Sequence, residues 1–237
     1  MYSNKYITVY TVIMTLIVSV VLAVIVTGLR PIHEANEVVF KKRDILSAIK
    51  EHLGADLDKM SDQEVLALFD QSIEQITLDA NGKPVEGVQA ESIDMAKEEK
   101  KPASERLYPL YVFKGSTGSF YLASVRGNGL WDKIWGTIAF KDDFNTIAGV
   151  SFDHVTETAG LGAEIKDNPA FKQQFIGRQI YDKSGDYVSV AVVKGGVKKP
   201  DHQVDAIAGA TITCNGVTEM MDNGLKVYLP YFKSLKK

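Results

Sequence analysis

Residues 205–213 read "DAIAGATIT", two threonines among small side chains just ahead of a helical pattern. A helix start presents unpaired backbone N–H groups and a partial positive charge, a combination that suits phosphate. Gly209 and Ala210 leave the approach uncluttered, Asp205 precedes them, and the hydroxyls of Thr211 and Thr213 lie where the helix begins. The same residues also suit an ordinary threonine N-cap. On residue chemistry alone both readings stand.

A second constellation is "TAGLGAEI" at 158–165, with Gly160-x-Gly162. A dinucleotide fingerprint would need its third glycine at Ile165 and a surrounding βαβ unit, so that reading fails. The glycines suit either a turn leaving a strand near Glu157 or the close approach of backbone amides to a flat or anionic ligand. Trp131 and Trp135 read as core tryptophans, Glu157 as a surface carboxylate and His154 as a hydrogen-bonded histidine. No Ser-His-Asp arrangement and no spaced pair of catalytic carboxylates is evident. Cys214 is the single cysteine, and the histidines at 33, 52, 154 and 202 form no HExxH pair. Redox chemistry here would have to come from something other than a metal centre built by this chain.

The elements that must position these residues follow from periodicity. The 237-residue chain carries a net charge of −3, without the basic patch that nucleic acid would require. Tyr6–Leu29 is an uncharged run of 24 residues, rich in Val, Ile and Leu. As a helix it spans roughly 36 Å, against a bilayer core of about 30 Å. It lacks the small-x-small exit of a signal peptide and predicts a single membrane-spanning anchor over 1–30. Lys41, Lys42 and Arg43 beyond it would, by the positive-inside count alone, place the rest of the chain in the cytoplasm.

Residues 31–106 are expected to form a helical and connector region. An amphipathic helix over Ile32–Leu53 stops at Gly54, and a Ser61/Glu64 capping box opens a second one. The "DANGKP" turn lies between short strands, and 86–106 reads as a polar, solvated excursion. From Leu107 the period changes to that of strands: "YPLYVF", "SFYLASV", "IWGTIAF", "TIAGVSFDHV" and later "YVSVAVV". Asn128-Gly129 signals a tight hairpin turn, and Asn168-Pro169 the start of a short helix. Thr211–Leu235 reads helical, with Val217, Met220, Met221 and Tyr228 on one side. The fold class is α+β: one N-terminal transmembrane helix, then a mostly antiparallel sheet packed with helices, the last domain occupying 107–237.

"DAIAGATIT" resembles the flavinylation motif of FMN-binding domains, with Ala208 where Ser or Thr is usual. "TETAGLG" is similar to that family's "ETPGLG" element, with Ala159 where proline is usual, and "GNGLW" resembles its other flavin-proximal stretch. With the N-terminal span and "ATITCNGV", the whole chain looks like a member of the C-subunit family of sodium-translocating NADH:quinone oxidoreductases.

The resemblance implies FMN esterified through its phosphate to Thr213, cradled by Gly209, Ala210 and Thr211. Glu157, Thr158, Gly160, Leu161 and Gly162 would border the isoalloxazine, with Leu130 and Trp131 as apolar neighbours. Asp205 would serve recognition by a flavin transferase. It further implies an electron relay from NADH to ubiquinone that drives sodium export, integral and peripheral partner subunits, and a single-pass protein of the bacterial inner membrane with its domain on the periplasmic face. The nearest alternative is the flavin-carrying G subunit of the Rnf ferredoxin:NAD complex. An alternative of another class is a membrane-tethered binding or assembly protein without flavin.

Overall fold

The structure is a computed structural model that describes residues 3–115 and 118–236. Residues 1, 2, 116, 117 and 237, at the start of the expected anchor, between two strands and at the C-terminus, lie outside the described residues. Helix α1 runs without interruption from Asn4 to Ser47. The expected break between an anchor and a separate amphipathic helix is therefore absent. Pro31 withdraws one N–H from the ladder, yet the turn around it stays helical and carries an exposed Arg30–Glu34 ion pair at 2.8 Å. A 3-10 turn at Lys50–His52 follows, and Gly54 adopts φ +69°, a conformation suited to ending the segment.

The chain divides into two compact units, Met1–Lys41 and Lys42–Lys237. From Asn4 onward the first is helix, and its apolar side chains from Tyr6 to Leu29 are exposed. Its best 18-residue window has a mean hydropathy of 2.8, long and apolar enough to cross a membrane.

The second unit opens with the end of α1 and then α2 (Asp62–Ser72), started by the expected capping box: the Ser61 hydroxyl accepts from the Glu64 N–H, and the Ser61 N–H donates to the Glu64 carboxylate. Strands β1 (Ile73–Leu78), β2 (Tyr108–Gly115), β3 (Gly118–Asn128), β4 (Lys133–Phe140) and β5 (Ile147–His154) make one antiparallel sheet in sequential order. Alternate residues feed different cores. Leu110, Ala123 and Ile138 join one cluster, whereas Tyr111, Leu122 and Ala139 join another, with Leu46, Ile49, Val65 and Phe69. With both faces covered, the strands read as continuous apolar runs rather than as strict alternation.

Between β1 and β2 lies the short helix α3 (Met95–Glu98). Segment 86–106 is not a solvated excursion: Ala90 and Ile93 are buried, and the Tyr111 hydroxyl donates to the Ala90 carbonyl at 3.2 Å. The Thr77 hydroxyl donates to the Val88 carbonyl, and the Glu98 carboxylate accepts from the Leu107 N–H. These anchors are too few and too irregularly spaced to leave a periodic signal. Because β1 pairs with β2 across this segment, a boundary at 107 would cut through the sheet, and the compact unit begins at Lys42.

After β5 come α4 (Glu164–Asp167) and α5 (Pro169–Gln173), the latter capped by Asn168 with proline at its start. Strand β6 (Ala191–Val193) is far shorter than "YVSVAVV" suggested, because Ser189 sits at φ +57° and breaks the extended run. It pairs in parallel with β7 (Gln203–Asp205). Helices α6 (Thr211–Leu225) and α7 (Leu229–Leu235) complete the chain.

Near the end of α1, Asp44 accepts a hydrogen bond from the Ser151 hydroxyl on β5. Burial, reinforced by repulsion from Asp153, pushes the Asp44 carboxyl up to about 6, while the Ser151 bond and Lys166 and Lys172 oppose it. The folded value exceeds the unfolded one of 3.8, so the penalty is absent below about pH 4, grows toward pH 6 and is complete above it. A rise of that size corresponds to about 3 kcal/mol. Asp44→Asn keeps a partner for Ser151 and removes the charge. Urea unfolding of the full chain in detergent should show the variant gaining about 1–3 kcal/mol more at pH 7.5 than at pH 4. An equal effect at both pH values would rule this account out.

Candidate functional site

Three segments converge: the β3–β4 hairpin, the glycine loop after β5 and the start of α6. Asn128 pairs with Lys133, leaving a four-residue loop over 129–132 rather than a two-residue turn. The Gly129 N–H donates to the Asp132 carbonyl at 2.7 Å. Gly129 has no positive φ. Its need for glycine is space, since an added Cβ would sit 2.3 Å from a Glu157 oxygen. Trp131 is not a core tryptophan: it is 66% exposed, with its indole N–H donating to the Thr158 hydroxyl at 3.2 Å. Leu130 beside it is also exposed, whereas Trp135 lies on β4 under the Arg126 guanidinium.

The chain leaves β5 at His154, whose Nδ1 accepts from the Glu157 N–H at 3.1 Å. That bond places the neutral ring's proton on Nε2. Gly160 turns the loop at φ +73°, and the Leu161 and Ala163 N–H groups donate back to the Thr158 carbonyl. Gly162 is required for space: a Cβ there would lie 2.3 Å from Glu157 Oε2 and 2.7 Å from Thr213 Oγ1.

Glu157 is therefore no surface carboxylate. It is 8% exposed, accepting from the Trp131 N–H at 3.0 Å through Oε1 and from the Thr213 hydroxyl at 2.7 Å through Oε2. One side chain ties all three segments together.

At the start of α6 the N-cap residue is Ala210, and no side chain caps the helix, so the threonine N-cap reading fails. The first intrahelical bond is from the Cys214 N–H to the Ala210 carbonyl, leaving the N–H groups of Thr211, Ile212 and Thr213 ahead of the ladder. Gly209 turns into the helix at φ +79°, against the Leu161 side chain. The two threonines part company here. Thr211 is exposed on the first turn, while Thr213 is 1% exposed and committed to Glu157.

Asp205 is exposed at the end of β7, its N–H donating to Gln174 Oε1 at 2.8 Å. A cleft bounded by Gly160, Glu164, Asn168 and Gln174 opens beside 205–208. Cys214 is buried, its thiol pushed up by burial.

The site thus combines an uncapped helix start with an exposed apolar rim of Leu130, Trp131 and Leu161. Ile212 and Val155 are exposed too and were not singled out in the sequence. For Ile212 a signal existed, because it falls off the Thr213, Val217, Met220 and Met221 face. An anionic group with a flat apolar body fits this arrangement: phosphate at the amides, ring against the rim.

Residues 129–226, which contain the loop of the hairpin, the glycine loop and the start of α6, match the family described as the FMN-binding domain. The C subunit of the Na(+)-translocating NADH-quinone reductase from Pseudomonas aeruginosa is 35% identical over 216 residues, covering 81% of this chain and 80% of that protein. The chain belongs to the C-subunit family of Na(+)-translocating NADH-quinone reductases. The corresponding protein of Neisseria meningitidis (serogroup A) is 32% identical over 234 residues, with 89% and 86% of the two chains covered.

Among solved structures, the family member from Parabacteroides distasonis superimposes with a TM-score of 0.75 at 36% identity, over 86% of this chain and 96% of that one. NqrC from Shewanella oneidensis gives 0.68 at 27% identity, over 82% and 99%. The family fold, with a long apolar N-terminal helix followed in this chain by an antiparallel sheet packed with helices, is the one expected from the pattern of elements.

Proposed function

We propose that this chain is the FMN-carrying electron-relay subunit of a Na(+)-translocating NADH-quinone reductase, passing electrons within a multi-subunit complex that couples NADH oxidation and quinone reduction to sodium export. The observation that carries the reading is the uncapped start of α6, with exposed Thr211 beside the rim of Leu130, Trp131 and Leu161, inside the region that matches the FMN-binding domain. The names of the relatives favour this complex over the Rnf alternative, and the domain match speaks against a tether without flavin.

When bound, FMN supplies the one-electron chemistry, and the protein supplies position and environment. The amides of Thr211, Ile212 and Thr213 would hold the phosphate, with Gly209 and Ala210 keeping side chains out of its way. The glycine loop at Thr158, Gly160, Leu161 and Gly162 and the hairpin at Leu130 and Trp131 would border the ring. For a covalent link, we place the phosphoester on Thr213, as the family resemblance implies, with Thr211 on the same first turn bordering the phosphate. The Thr213 hydroxyl lies within the site, donating to Glu157 Oε2. Asp205, exposed one short loop away, suits recognition by a flavin transferase. The domain would face the outer side of the bacterial inner membrane, as the family resemblance implies.

The denatured full-length polypeptide, co-expressed with a flavin transferase, should fluoresce on a gel under ultraviolet light. A reporter joined at the C-terminus should be active only outside the cytoplasm. A dark band defeats the covalent reading, and a reporter active only inside defeats the orientation.

A further inference from the structure

Glu157 carries a formal negative charge into a confined place. Each carboxylate oxygen accepts one hydrogen bond, from Trp131 and from Thr213, and the residue has no ion pair among the described residues. Two glycines leave the room it occupies, since either Gly129 or Gly162 with a Cβ would meet an oxygen at 2.3 Å. The carboxylate is thus held by two donors within a space that admits no bulk, under a loop whose Trp131 ring points outward. A charge with little water around it is weakly screened, so it acts on nearby groups more strongly than a surface carboxylate does.

We propose that Glu157 is a positioning residue that also sets the electrostatics of the site. Its fixed negative charge opposes the arrival of an electron and lowers the reduction potential of the flavin bound at the start of α6. This rests on the FMN reading given above. The charge and the position can be separated chemically. In Glu157→Gln the amide oxygen can still accept from the Trp131 N–H, and the amide N–H₂ can donate to Thr213 Oγ1. Geometry is kept and the charge is gone. Glu157→Asp keeps a charge.

The experiment is a potentiometric titration, followed by flavin absorbance, of the full-length protein carrying covalent FMN, in detergent. Each variant's potential is read on the fraction whose gel band fluoresces. Glu157→Gln should shift to a more positive potential, raising the ratio of reduced to oxidised flavin at the wild-type midpoint by roughly tenfold. Glu157→Ala, which removes the charge by another route, should shift in the same direction. Glu157→Asp should stay near the wild type. An unchanged potential in Glu157→Gln, or an equal shift in Glu157→Asp, overturns the proposal, the second because it would trace the effect to geometry rather than charge. A wild-type protein without a fluorescent band is a different failure: it removes the FMN reading itself and is seen before any titration begins.

Discussion

Thr213→Val is expected to give a folded protein with complete loss of covalent flavin, while Thr211→Val keeps the fluorescent band at least in part. The two hydroxyls lie two positions apart at a helix start that no side chain caps. Valine matches threonine in shape and, at 213, removes the oxygen that would form the ester. The Thr213 hydroxyl also donates to Glu157 Oε2 at 2.7 Å. Losing it leaves the buried carboxylate one donor short, a cost of about 1–3 kcal/mol in stability. Thr211 is exposed on the first turn, so valine there costs little and leaves the acceptor in place. Gel fluorescence and peptide mass spectrometry of both variants read the outcome. Flavin mapped to Thr211 of the wild-type chain would overturn the assignment.

The second large effect is expected at Gly216, where α6 crosses the end of β3. A Cβ at this position would lie 2.1 Å from the Asn128 carbonyl oxygen and 3.2 Å from its carbon. Both are backbone atoms of a paired strand, so neither can rotate aside. Alanine is intrinsically better than glycine inside a helix by about 1 kcal/mol. The overlap outweighs that preference, and Gly216→Ala should lose about 3 kcal/mol net as the helix is forced off the hairpin. Gly224→Ala offers a contrast on the same helix. Its Cβ would meet Val125 Cγ1 at 2.8 Å and Cβ at 3.0 Å, a milder overlap than the 2.1 Å approach to a carbonyl oxygen at Gly216, so the loss should be smaller. Urea denaturation of both proteins, full-length and in detergent, makes the comparison. A Gly216→Ala protein as stable as the wild type would mean that helix and strand do not cross this closely.

Much of the architecture was legible along the chain, because it rests on interactions between residues close in sequence. The apolar run at 6–29, the Ser61/Glu64 capping box, the Asn168-Pro169 helix start and the strands from Tyr108 to His154 are all local patterns. So is the buried face of α6, since helical spacing alone groups Val217, Met220 and Met221. The elements that misled were those whose conformation is settled from outside. Segment 86–106 is polar along its length, yet a few contacts to β1, β2 and Leu107 order it. "YVSVAVV" is strand-like in composition, yet Ser189 turns left-handed in its middle.

At the site the division is sharper. Residue types alone drew attention to the small-residue approach at 205–213, the glycines at 160 and 162 and the hairpin at 127–131, and these three segments do meet. Sequence could not say which threonine faces outward, because Thr211 and Thr213 are two positions apart on a helix whose rotation is set by packing against β3. Nor could it separate glycines that turn the chain from glycines that make room. Gly160 and Gly209 have positive φ, whereas Gly129, Gly162 and Gly216 are needed because Glu157 and Asn128 come too close for a Cβ. The approaches to Gly129 and Gly216 join residues 28 and 88 positions apart, and no local pattern encodes them. The anchor, the strands and the phosphate-suited loop were thus determined by sequence through local chemistry. The buried Glu157, its bond to Thr213 and the exposure of Thr211 were decided only when the sheet and α6 packed together.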